Sequence, residues 1–173
     1  MDSLGRKKQS PHMKNHVTFL AEGFNQTEQK PNFINDGNFG EDLALWLIAE
    51  FNTFKDISAG PEPIQEDWGW CVFVSTDNYT GKIGLGSYEV GTPDGQKDGW
   101  LCFWKTPKKK KPFLFFGKAK ADEDNARIQE ASKKIIMRFH DFISASPRFS
   151  QIRWHDEADF MKGNEDSWAS IPY

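Results

Sequence analysis

Residues 67–105 read DWGWCVFVSTDNYTGKIGLGSYEVGTPDGQKDGWLCFWK. Three apolar, β-branched and aromatic runs, DWGWCVFVS, KIGLGSYEV and GWLCFWK, are separated by TDNYTG and GTPDGQKDG, whose Asn, Asp, Pro and Gly residues favour turns. A fourth run, PFLFFGKAK, follows TPKKKKP. Links this short join antiparallel neighbours, because parallel strands need a long crossover. The stretch therefore predicts an antiparallel meander.

Working outward, HVTFLAEGF (16–24) reads as an earlier strand, and the polar NQTEQKPNFINDGN as a loop. FGEDLALWLIAEFNTF (39–54) predicts a largely buried helix. Asn38 or Gly40 is its candidate cap, and Glu41 and Asp42 sit where the helix dipole favours negative charge. A second, amphipathic helix is expected from near Asp122 to near Pro147, with Ile128, Ala131, Ile135, Phe139, Phe142 and Ile143 at helical spacing. FSQIRW adds a candidate short strand. The order β-α-β-β-β-β-α predicts an α+β fold, an antiparallel sheet of about five strands with two main helices. Expected boundaries are a disordered tail over 1–15, one domain over 16–162 and an acidic C-terminal tail over 163–173.

The chain has 173 residues, enough for one domain with a sizeable core. A net charge of −3 supplies no global basic field to draw it to nucleic acid. The basic N-terminus lacks the apolar run of a signal peptide, and no stretch is long and apolar enough to span a membrane. The expectation is a cytoplasmic protein. Cys71 and Cys102 form no CxxC motif and read as buried strand residues, with a disulfide between them left open.

Side chains alternate across a strand. Trp68, Trp70, Val72 and Val74 are expected on one face of the first run, with Cys71 and Phe73 on the other. Trp100, Cys102 and Trp104 should oppose Leu101 and Phe103. Both faces are thus apolar at the centre. If both helices lie on one face, the other needs a chain segment, a partner or a pocket to cover it.

Candidate chemistry is sparse. Glu66 and Asp67 could act as acid and base, but neighbours in a strand point apart. His140 and Asp141 lie late on the second helix, and His155, Asp156, Glu157 and Asp159 form a second cluster. Consecutive spacing suits neither for converging on a metal, and His12 and His16 lie in or near the tail. GKIGLGS lacks the following helix that would aim amides at a phosphate. Lys105 and Lys108–Lys111 fit an exposed hairpin tip better than a nucleic-acid site. No cofactor or metal is called for. The reading favoured is a non-enzymatic interaction protein, with an inhibitor or immunity-type role among those that fit. It would bind a protein partner or itself through Trp68, Trp70, Trp100 and Trp104, flanked by acidic segments. The alternative is a small-molecule binder or enzyme with Glu66, Asp67 and His140 in a pocket between sheet and helix.

Overall fold

The computed structural model describes residues 13–105 and 118–173. In chain order the elements are β1 (His16–Ala21), α1 (Glu41–Phe51), β2 (Ser58–Ala59), β3 (Ile64–Glu66), β4 (Gly69–Thr76), β5 (Tyr79–Thr92), β6 (Gly95–Trp104), α2 (Lys118–Ala145), β7 (Phe149–His155), α3 (Glu157–Phe160) and β8 (Trp168–Ala169). The strands form one antiparallel sheet in the order β2-β4-β5-β6-β1-β7-β8, with β3 also paired to β4.

The α+β class is as expected, but the sheet has eight strands rather than about five. The additions are mostly short: β2, β3 and β8 have two or three residues each and left too little periodic signal. The expected strand PFLFFGKAK falls largely outside the described residues, and its last three, Lys118–Lys120, are already in α2. Helix α2 therefore begins before Asp122, and its acidic residues do not form the first turn.

The β3–β4, β4–β5 and β5–β6 connections are two-residue turns, closed by Glu66↔Gly69, Thr76↔Tyr79 and Thr92↔Gly95. Tight turns of this kind fix strand register. Gly69 at φ 147° is the informative position: a Cβ there would lie 2.3 Å from the Leu85 carbonyl oxygen, so only glycine fits.

Helices α1 and α2 pack on one face of the sheet. Leu43, Leu47 and Phe51 of α1 and Ile135, Phe139 and Ile143 of α2 join Val17, Phe19, Trp70, Val72, Val74, Leu85, Trp100 and Trp154 in one core. Gly40 caps α1 in the left-handed region, and a Cβ there would press on Leu85 and Trp100 at 2.8 Å. Leu45, on the helix that the sequence predicts to be largely buried, is instead exposed.

The second face carries a transverse row in register: Cys71, Gly84, Phe103, His16, His155 and Trp168, one from each of six strands. The C-terminal segment covers part of it. Phe160 packs at a tilt against His16, His155 and Tyr88 at 5.3, 5.2 and 5.5 Å, and Tyr88 Oη donates to Glu165. Strand β8 pairs with β7, and the Pro172 carbonyl accepts from the Lys14 amide at 2.8 Å. Residues 13–15 and 163–173, expected as tails, therefore take part in the fold. Cys71 and Cys102 are both free, buried on opposite faces of the sheet, which leaves no disulfide between them.

Burial separates the tryptophans sharply. Trp100→Ala is expected to cost ~3–5 kcal/mol, the range for deleting a buried aromatic ring. Trp68→Ala is expected to cost under ~1.5 kcal/mol, since its ring is only half covered. Urea denaturation of the two variants checks this; equal losses would contradict the face assignment.

Candidate functional site

Three of the four tryptophans expected at a partner surface are core. Trp70, Trp100 and Trp104 are 4%, 0% and 3% exposed, facing the helices. Trp70 is also tied inward, its Nε1 donating to the Asn38 carbonyl at 2.8 Å. Trp68 is different, at 45% exposed. Simple alternation puts it with Trp70, but it occupies the Asp67–Trp68 turn, where alternation resets. Its ring lies on the opposite face, 5.0 Å from Phe103. A Cβ on Gly84 would meet both rings, at 2.6 Å for Trp68 and 2.4 Å for Phe103. Gly84 thus marks a close approach of two rings, not a bulge, since the β4–β5 register is continuous.

Among the described residues, eight large apolar side chains are exposed. Five of them, Ile34, Leu45, Ile64, Trp68 and Phe73, surround the β3–β4 hairpin. Ile64, Trp68 and Phe73 lie on the sheet face away from the helices. Ile34 and Leu45 lie on the other side of β3, beside an open groove of ≈ 440 Å³ that Asn32, Glu41, Glu62 and Gln65 also line. The Gln65 side chain holds the loop to β3, accepting from the Ile34 amide at 2.8 Å. Asn35 and Asn38 donate to the Asp67 carbonyl, and Asn38 also to that of Glu66.

Glu66, Asp67 and His140 do not converge. Glu66 pairs with Lys82 at 3.2 Å on the face away from the helices. Asp67 sits in the turn, and His140 is on α2, where its Nδ1 accepts from the indole N–H of the core residue Trp154 at 3.2 Å. Burial lowers the His140 pKa, opposed by Asp141. The space between sheet and α2, lined by Val17, Ile83, Trp104 and Ile135, is ≈ 10 Å³, room for one water at most.

The histidines that do meet are His16 and His155, directly opposite across β1–β7. Asn15 Nδ2 donates to the Trp104 carbonyl and to Glu157 Oε2, both at 3.2 Å, so its Oδ1 accepts from His16 Nδ1 at 3.1 Å. His155 Nε2 bonds Thr18 Oγ1 at 3.0 Å, while its Nδ1 is buried without a hydrogen-bond partner among the described residues. A hydroxyl beside an imidazole suggests an activated nucleophile, but Thr18 and His155 are sealed at 3% and 2% exposure, and among the described residues no third group hydrogen-bonds the ring. Asp156 caps α3 by accepting from the Ala158 amide. Among the described residues no group of three or more His, Cys, Asp and Glu is placed to hold a metal. His16, set aside from the sequence as in or near the tail, instead lies buried in β1 on one face with Thr18. Their pairing with a residue over a hundred positions away left no local trace.

No protein family, curated protein or solved structure matches the chain.

Burial pushes the His155 pKa down to about 4 from 6.5, aided by His16, Lys14 and Arg153. His16 is lowered by burial too, opposed by Glu157 and Asp156. Between pH 6.5 and about 4 the unfolded chain binds a proton at His155 that the folded chain refuses. Stability therefore falls as pH drops through this window, by up to ~3 kcal/mol from this residue. Urea midpoints from pH 7.5 to 5 should decline in the parent and decline less steeply in His155→Phe. Parallel slopes would rule out this linkage.

Proposed function

We propose that this protein is a non-enzymatic interaction protein that binds another polypeptide through the surface around its β3–β4 hairpin. One observation supports this: the clustering of Ile34, Leu45, Ile64, Trp68 and Phe73, exposed, at one end of the sheet. Scattered exposed apolar residues are ordinary, whereas a concentration of them marks an interface. Trp68 and Phe103 supply aromatic area, and tryptophan is enriched among residues that dominate binding energy. The role falls to Trp68 with Phe73 on the face away from the helices, not to the face of Trp70, Trp100 and Trp104 favoured from the sequence, which is buried. An inhibitor or immunity-type role fits a small acidic protein that acts by covering a partner.

The test is native mass spectrometry on protein isolated gently from its source cells. The expected species is a stoichiometric complex with a second polypeptide. The Trp68→Ala/Phe73→Ala double variant should melt within a few degrees of the parent yet lose the complex, with binding weakened at least ~100-fold, as for two truncated hot-spot residues. A bare monomer from every preparation, or a complex indifferent to the double variant, would remove this reading.

A further inference from the structure

Building on the protein-binding reading, we infer that the partner adds an extended segment, rich in apolar and basic residues, along the free edge of β3. Four observations converge on this geometry. First, β3 is paired with β4 alone among the described strands, so its other edge carries no strand. Second, that edge runs between the two apolar areas. Ile34 and Leu45 border the ≈ 440 Å³ groove on one side, and Ile64 is exposed on the other.

A strand laid along β3 would send alternate side chains to the two sides, filling both. Main-chain hydrogen bonds hold such a segment, and the side-chain sites select it.

The third observation is charge. Among the described residues, the charged ones lining the groove are Glu41 and Glu62. Glu41 is satisfied, with Lys30 Nζ on one carboxylate oxygen and the Asn32 amide on the other, both at 2.7 Å. Glu62 has no ion pair or hydrogen bond among the described residues and offers its carboxylate to an incoming ammonium or guanidinium. Fourth, the surrounding chain is acidic throughout: residues 28–67 contain nine carboxylates and only two cationic side chains, Lys30 and Lys55. A basic segment is steered to this field, and an acidic one is repelled.

The experiment follows amide shifts of the full ¹⁵N-labelled chain during titration with an octapeptide of lysine, isoleucine and valine. A matched octapeptide with glutamate for lysine is the comparison. Saturable shifts at Ile34, Leu45 and Gln65 are expected with the lysine peptide. Binding should weaken at least ~10-fold in Glu62→Lys and with the glutamate peptide, as for loss of one charge-assisted contact. No saturable shift, equal response to both peptides, or shifts confined to the C-terminal segment would overturn the inference. In those cases a natural complex that is lost in Trp68→Ala/Phe73→Ala would still uphold protein binding, while a bare monomer would remove both.

Discussion

A sheet with large apolar side chains on both faces has to be covered on both, and the layers of this molecule follow from that requirement. On one face Trp100, Val72, Leu85 and Val17 demand a cover that the two helices supply. Burial on that scale, at ~25 cal/mol per Å² of apolar surface, is the main drive to fold. On the other face Phe103, Cys71 and the histidine pair call for a second cover. The C-terminal segment provides it over β1 and β7, with Phe160 set on both imidazoles. The cover stops short of β4, and there Trp68 and Phe73 remain exposed. The candidate binding surface is the part of a two-faced sheet that the described residues leave open.

The polar groups beneath Phe160 do a different job from the apolar ones. Burying an imidazole neutral costs free energy that a leucine would not. In exchange, Asn15 joins the end of β6, the start of β1 and the first residue of α3 through the Trp104 carbonyl, His16 and Glu157. Apolar contact alone would let the segment slide over the sheet; directional bonds allow one seating.

Much of this was legible in the sequence. Alternation identified the strands around Trp70–Val74 and Trp100–Trp104 and showed that both faces were apolar. It failed at Trp68 because a two-residue turn interrupts the period, and the only local sign is Gly69, whose φ of 147° suits no other residue. Leu45 looked buried because the helix around it is apolar on most sides; only the packing of α1 against β4 decides which side faces water. The histidine pair depends on β1 meeting β7, a long-range contact that no local pattern encodes. The groove joins a loop, a helix and a three-residue strand, each too short or too irregular to announce it.

Charge also bears on whether β3 could pair with a second copy of itself. Exposed strand edges invite self-association, and natural proteins blunt them with short strands and like charges. A two-fold antiparallel pairing of β3 edges would bring the carboxylates of Glu62, Glu66 and Asp67 of one chain towards those of the other. Like charges facing across a strand pair oppose it. Lys82 neutralises Glu66 in part, but among the described residues nothing comparable is bonded to Glu62. The same acids that would discourage a second copy would, under the binding proposed above, favour a basic segment, so one feature would act against one association and for the other.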